Sequence, residues 1–336
     1  MKGDNHPDGG SFPDLVWEMA SAFRRSRVLL TAVELDLFSA LGPASRPSSE
    51  VAGAIDCDPR ATDRLMNALV AMGLLQKSGE RFANVPDGLR FLARGSPDYL
   101  AGLMHSANLW DKWSTLTDAV RAGGSVQPAG RAGRGEEWIR AFISAMHDRA
   151  RLRAESLVSL LDLGGVRKVL DLGGGSGGYA AAVVRAGAGI TATVFDRPEV
   201  VPLTRRFLDE AGCSDTVQAL AGDFHTDDLG SDYDLVLISA VLHSNTPVQN
   251  CALLARAASV LNPGGRVVIR DFIMGPDRTV PLRGALFSLN MLVNTAGGDT
   301  YTEEEYRAWM KDAGLVSIRR EETSGGDAVM IGTKPA

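Results

Sequence analysis

The sequence predicts an α/β chain in two parts: a mainly helical N-terminal region with the outline of a winged helix, and a C-terminal half built around a mostly parallel sheet with an antiparallel final strand. Three observations carry this expectation. The chain has 336 residues, 45% of them hydrophobic, which exceeds the length at which one core usually stops growing, so more than one folding unit is expected. After residue 166, runs of strand length alternate with runs of helix length, the pattern of a parallel sheet covered by helices. Between the first of these strands and its helix stands the turn Gly173-Gly174-Gly175-Ser176-Gly177-Gly178.

Taken in order, residues 1–13 are polar and rich in Gly, Asp and Pro, without the apolar stretch of a signal peptide, and read as a disordered tail. Residues 14–95 form the winged-helix region. Val16, Met19, Phe23, Leu29, Leu30, Val33, Leu37 and Phe38 recur at helical spacing and make one or two amphipathic helices. "RPSSEVAGAI" opens with serines able to cap the next helix. Asp58 before Pro59 starts another, and Gly73 stops it. "LLQKSGERFANV" reads as a hairpin turning at Ser78-Gly79. In a DNA-binding winged helix the helix before the hairpin enters the major groove. Here Arg60 and Arg64 on that helix are offset by Asp58 and Asp63, so the expected partner of this region is another protein chain.

Residues 96–161 are expected to be linking helices. They include Trp110 and Trp113, a glycine-rich link "RAGGSVQPAGRAGRG", and one long helical pattern through Trp138, Phe142, Met146, Leu152, Leu157 and Leu160. Residues 162–336 carry the alternation: "RKVLDL", "ITATVFD", "TVQALAGD", "YDLVLISA" and "RVVIRDFIM" as strands, "YAAAVVRAG", "EVVPLTRRFLDEAG", "QNCALLARAASVLNPGG" and "EEEYRAWMKDAG" as helices. "VSIRREET" and "DAVMIGTK" close the chain around a Ser-Gly-Gly turn, so the sheet is expected to finish with a reversed edge.

The bulk chemistry excludes several classes. A formal charge of −6 gives no general attraction to nucleic acid or anionic membrane. Cys57, Cys213 and Cys251 are scattered and odd in number, which fits reduced thiols. No stretch approaches the roughly 20 apolar residues that span a bilayer, and the expected location is the cytoplasm. His225 with Asp227 and Asp228 lacks the spacing of a closed ligand set and reads as loop, so no metal is expected. His105 and His147 read as packing residues.

The glycine turn satisfies the dinucleotide pattern G-x-G-x-x-G, a weak signal alone. Its neighbours sharpen it. Asp171 stands near the end of the preceding strand, Asp196 ends the next, and Asp223, followed by Phe224, ends the one after. In an open α/β sheet these positions line the ligand crevice. Three acids suit a ligand with a cationic amine, a ribose and an adenine, and serve two phosphates badly. S-adenosylmethionine has those parts: amine and carboxylate against Gly173, Gly175 and the helix start, ribose on Asp196, adenine between Asp223 and Phe224. Arg197 and Ser239 complete the expected cofactor set.

"VLDLGGGSGGYA", "VFDRPEVV", "AGDFH", "ISAVLHSNTP", "LNPGGRVVIRDFIM" and "YTEEEYRAWMKDAGL" together resemble the class I S-adenosylmethionine-dependent O-methyltransferases of the plant caffeate and animal hydroxyindole type, with bacterial members in secondary metabolism. The likeness covers nearly the whole chain. It implies a Rossmann-like cofactor-binding sheet, an N-terminal winged-helix dimerisation domain, a homodimer, and methyl transfer to a small aromatic or polyketide-like hydroxyl with S-adenosylhomocysteine as product. It also implies that His243 is the general base. The family usually continues that histidine with Asp-Trp, whereas this chain reads His243-Ser244-Asn245. Asp271, Asp299 and Glu303 are each candidates to orient the ring. Substrate walls are expected from Trp113, Phe142, Met146, Phe287, Asn290, Met291 and Val293. Two alternatives stay open at this point. One is methylation at carbon or nitrogen, or a non-methylating decarboxylase or hydroxylase on the same fold; the other is a winged-helix regulator that senses the cofactor.

Overall fold

The structure, a computed structural model, describes residues 11–127, 135–323 and 328–336. Most of the expected N-terminal tail, the end of the glycine-rich link and the Ser-Gly-Gly turn lie outside the described residues. The chain divides into two compact units, Met1–Ala107 and Asn108–Ala336.

The first unit contains α1 (Phe12–Ser21), α2 (Phe23–Glu34), α3 (Leu37–Leu41), β1 (Arg46–Pro47), α4 (Ser48–Ala54), α5 (Pro59–Ala71), β2 (Leu75–Ser78), β3 (Arg81–Asn84) and α6 (Pro86–Leu92). Helix begins at Phe12, inside the stretch read as tail, because Ser11 and Asp14 form a capping box. Three helices occupy the region where one or two were expected; the last break falls at Asp36, whose φ of 53° no helix accommodates. The serines of "RPSSEVAGAI" do not cap: Arg46 and Pro47 are drawn into pairing with β3, Pro47 takes the cap position, and the Ser48 hydroxyl donates to Asp63 instead at 2.9 Å. Asp58 does cap α5, accepting from the Ala61 amide at 2.7 Å, and Gly73 follows the helix at φ +76°. β2 and β3 pair from Leu75↔Asn84 to Ser78↔Arg81, which leaves Gly79 and Glu80 as the turn. With β1 on the far side of β3 this makes the three-stranded wing. Leu37, Phe38, Leu41, Met66, Leu69 and Phe82 fill the core of the unit. No residue of α1 is buried within the chain, and Phe12, Trp17 and Met19 stand exposed along it.

The division between the units falls within α7 (Leu103–Ser114). The second unit continues with α8 (Leu116–Ala122) and α9 (Glu136–Val158), then β4 (Lys168–Leu172), α10 (Gly178–Ala186), β5 (Thr191–Asp196), α11 (Val201–Glu210), β6 (Val217–Ala221), β7 (Tyr233–Ser239), α12 (Pro247–Ser259), β8 (Leu261–Asp271), β9 (Ile273–Met274), α13 (Leu282–Asn294), β10 (Tyr301–Thr302), α14 (Glu303–Asp312), β11 (Val316–Glu322) and β12 (Ala328–Thr333). The sheet order is β11-β12-β8-β7-β4-β5-β6. Its pairs are parallel except those of β12, which runs against both β8 and β11. The final strand is therefore reversed as expected, but it lies one position in from the edge, because β8 offers it a free side and β11 then covers it.

Successive strand residues point to opposite faces, and both faces are covered. Leu170, Leu172, Val236, Ile238, Val267 and Ile269 pack towards α12 and α14 through Leu253, Leu254, Tyr306 and Trp309. Val169, Leu235, Leu237 and Val268 pack towards α9 and α10 through Ala150, Ala154, Ala180 and Val183. Each buried Leu, Ile or Val of these layers is worth about 1.5–3 kcal/mol relative to exposure.

In the second unit two element boundaries differ from expectation. The helix expected to run through "LNPGG" ends at Ser259, and those residues already belong to β8. An added Cβ at Gly265 would come within 3.1 Å of the Tyr233 carbonyl, a closeness of backbone that favours strand over helix here. At its other end the run "RVVIRDFIM" splits: β9 leaves the main sheet and pairs in parallel with β10. Order reverses on either side of β4, with β5 to one side and β7 to the other, which opens a crevice at the carboxyl ends of these strands. Among the described residues no helix is long and apolar enough to cross a membrane.

Candidate active site

The glycine turn is shaped by contacts that tolerate no side chain. A Cβ on Gly174 would lie 2.6 Å from the Asp171 carboxyl, and one on Gly173, at φ +67°, would lie 2.8 Å from a Val241 methyl and 3.5 Å from the Phe224 ring. The Gly175 amide donates to Asp196 Oδ2 at 2.8 Å, and its carbonyl accepts from the Thr204 hydroxyl at 2.6 Å. A Cβ on Gly175 would lie 3.8 Å from the Ile143 side chain of α9. Asp196 also accepts from the Arg197 amide at 2.8 Å, so this acid braces the turn.

Asp171 is different. It is fully buried, and neither of its oxygens makes a well-formed hydrogen bond among the described residues. Burial, reinforced by nearby Asp196, pushes its carboxyl up to about 7, and the Ala180 amide opposes this only in part. A buried acid without a counter-charge is costly to keep ionised, and a cationic ligand group would relieve that cost. Asp223 lies exposed in the turn after β6, accepting from the His225 amide at 2.8 Å, with half-buried Phe224 beside it. Arg197, the one cation among the expected cofactor residues, pairs with Glu199 at 3.1 Å. The Ser239 hydroxyl, at the end of β7, is buried and makes no hydrogen bond among the described residues. An orphaned acid, a glycine cradle and further carboxylates fit a ligand with an amine and a ribose; they do not fit a pyrophosphate.

His243 lies in a one-turn 3-10 helix, Leu242–Ser244, that follows β7. The ring is buried, and Nδ1 stands 2.7 Å from Asp271 Oδ1 at the end of β8. A carboxylate can only accept, so the neutral ring carries its proton on Nδ1 and presents Nε2 as an acceptor. Of the three acids that could have oriented the ring, Asp271 does so. Asp299 pairs with Arg278, and Glu303 with Arg307 and Arg320. Ser244 and Asn245 leave the histidine in place.

The expected acceptor wall is brought together in part. Phe287 of α13 meets the His243 ring edge-on at 4.8 Å, and Phe272 lies 4.4 Å beyond it. Trp113 of α7 donates from Nε1 to Asn290 Oδ1 at 3.1 Å, which joins two expected wall residues 177 positions apart. Met291 is buried in α13, and Val293 is fully buried, a packing residue whose carbonyl accepts from Ser125. Phe142 stacks on Trp138 and packs with Val200 and Phe207, on the α11 side of the glycine turn. Met146 is half-buried on the same helix. His147, stacked on Phe207 at 4.2 Å, is held neutral to about 4 by burial, Arg151 and Arg206. Sequence reasoning missed Thr204, Ile143 and Phe272. Each acts through contacts across the fold that no local pattern marks.

A mostly parallel sheet with an acid-rich crevice, and beside it a histidine whose ring meets a carboxylate, suits a group-transfer enzyme. Comparison with known proteins makes this specific. An O-methyltransferase domain family matches residues 113–316, and an O-methyltransferase dimerisation domain matches residues 17–94. The chain belongs to the O-methyltransferase family. It is 32% identical to the 3-hydroxy-5-methyl-1-naphthoate 3-O-methyltransferase of Streptomyces sahachiroi, over 99% of this chain and 98% of the relative. It is 35% identical to the tetracenomycin polyketide synthesis 8-O-methyl transferase of Streptomyces glaucescens, over 96% and 97%. Human N-acetylserotonin methyltransferase, solved in complex with S-adenosylmethionine, superposes with a TM-score of 0.87 at 26% identity and covers 100% of both chains.

Proposed function

We propose that this protein transfers a methyl group from S-adenosylmethionine to a hydroxyl of a small aromatic or polyketide-like acceptor, with His243 as general base. The observation that carries this reading is the contact between His243 and Asp271, beside a crevice whose deepest acid makes no well-formed hydrogen bond among the described residues. Asp171 takes the amine, Asp196 the ribose, and Asp223 with Phe224 the adenine; Gly173 and Gly175 let the backbone approach, and Arg197 and Ser239 border the site. When bound, the cofactor supplies an electrophilic methyl on a good leaving group.

The protein's tasks are then alignment and removal of one proton. A phenol near pKa ~10 keeps its proton at neutral pH, so its oxygen needs a group that takes this proton as it attacks. His243 Nε2 takes the proton from the acceptor oxygen, and Asp271 stabilises the imidazolium that results. Phe287 and Phe272 offer flat apolar surface to an aromatic ring, while Trp113, Asn290 and Met291 close the wall around it and Phe142 and Met146 border the cofactor side. Residues 14–95 serve dimerisation, 96–161 link, and 162–336 carry the chemistry. A homodimer would cover the apolar face of α1.

Incubation with methyl-labelled cofactor and a panel of phenols, hydroxynaphthoates and polyketide hydroxyls tests the reaction. The expected product gains one methyl as an ether; a carbon-bound methyl, or no transfer to any acceptor, would sink it.

A further inference from the structure

The turn that carries His243 is gripped by side chains outside the catalytic pair. Asn250, on α12, is fully buried. Its Nδ2 donates to the Leu242 carbonyl at 3.0 Å, and its Oδ1 accepts from Asn245 Nδ2 at 3.1 Å. It thus holds the residue before His243 and the residue two after it. The Asn245 carbonyl accepts from the hydroxyl of Tyr301, the first residue of β10. From the same segment Gly298 packs so closely that an added Cβ would lie 2.3 Å from the His243 carbonyl.

This arrangement is more than helix capping. α12 already has its cap, since Thr246 and Gln249 form a complete capping box. A buried amide costs free energy unless its groups are bonded, and an apolar residue at position 250 could have joined Leu253 and Leu254 in the core. Both ends of the Asn250 amide are spent on the histidine turn. That turn needs support: its backbone bonds are Ser244 to Val241 at 2.9 Å and Asn245 to Leu242 at 3.1 Å, a single turn's worth. Asp271 fixes the ring, but the ring's aim depends on the backbone beneath it.

We propose that Asn250, acting through Asn245 and Tyr301, is a positioning residue that locks the one-turn helix so that His243 Nε2 keeps its aim at the acceptor oxygen. The inference rests on His243 as base, and it gives Asn245 a role at a position where the family resemblance would place a tryptophan.

The test compares the full-length Asn250→Ala, Tyr301→Phe, His243→Ala and His243→Ala/Asn250→Ala proteins. Misalignment of a reacting group should lower kcat about tenfold to a hundredfold in Asn250→Ala, with the cofactor KM changed by less than about twofold. Tyr301→Phe, which removes one hydroxyl, should lower kcat in the same direction and keep the fold. Because Asn250 acts only through His243, the double variant should be no slower than His243→Ala; a multiplicative further loss would overturn the proposal. Nitrogen NMR of the His243 ring gives a readout independent of turnover. The wild-type ring should show a fixed Nδ1–H tautomer and Asn250→Ala a mixture, and identical ring signals would overturn the proposal. Unchanged activity in His243→Ala would instead remove the base assignment, leaving the NMR comparison to report on the clamp.

Discussion

The carboxylate of Asp271 reaches His243 twice: Oδ1 lies 2.7 Å from the ring Nδ1, and Oδ2 accepts from the backbone amide at 3.2 Å. One acid at the end of β8 therefore sets the tautomer of the ring and the position of the backbone that bears it. This double contact joins the ends of the neighbouring parallel strands β7 and β8, beside the crevice.

Replacing Asp271 by Asn should keep the shape and lose the function. An amide cannot hold an imidazolium as a carboxylate does, and it can present a donor to Nδ1 that favours the wrong tautomer. We expect kcat to fall about a hundredfold, within the range general base catalysis supplies, with cofactor affinity little changed. Steady-state kinetics beside calorimetric titration with S-adenosylhomocysteine checks both parts, and a kcat near the wild-type value would contradict the role.

If Asp171 takes the cofactor amine as proposed, cofactor binding should depend on pH. Its carboxyl is raised from the ordinary 3.8 to about 7 by burial and by Asp196. Between these values the folded, ligand-free protein holds a proton that the unfolded chain has lost, so this group makes stability fall as pH rises through that window. A bound cationic amine favours the carboxylate and reverses the preference. Binding of S-adenosylhomocysteine at pH values below 7 should release a proton, seen in calorimetry as a heat that changes with the buffer's ionisation enthalpy. Asp171→Asn should abolish that dependence and weaken binding about ten- to a hundredfold, the worth of a hydrogen bond to a charged group.

The exposed side of α1 predicts association. Trp17 is 75% exposed within the chain, with Phe12 and Met19 also uncovered. Buried tryptophans are frequent anchors of interfaces, and truncating one costs about 2 kcal/mol or more. Trp17→Asp should shift the protein from dimer towards monomer at micromolar concentration in light scattering, while circular dichroism stays that of the folded chain. A mass unchanged by the substitution would place the contact elsewhere.

Much of this was legible before any coordinates, and the reason is periodicity. Strands such as β4 and β7 are apolar runs bounded by turn residues, and Gly173 to Gly178 mark a place where the chain turns too sharply for side chains. Other elements left no such mark. β9 and β10 are two residues each and exist only because the chain ends of β8 and α13 bring them side by side. β12 pairs with its sequence neighbour β11 as expected, but its other partner, β8, is distant in sequence, and nothing in the residues of either strand announces that pairing.

The sequence by itself determined the kinds of chemistry available: three acids at strand ends, a glycine turn, and a histidine after the fourth strand of the alternating half. Those follow from local composition and spacing, which the backbone periods convert directly into faces and ends. Tertiary structure decided which acid meets the His243 ring, which acid makes no well-formed hydrogen bond among the described residues, and which amide grips the histidine turn. Asp271, Asp299 and Glu303 are chemically alike as letters. Hydrogen bonds reach only about 3 Å, so only the packed fold could choose among them.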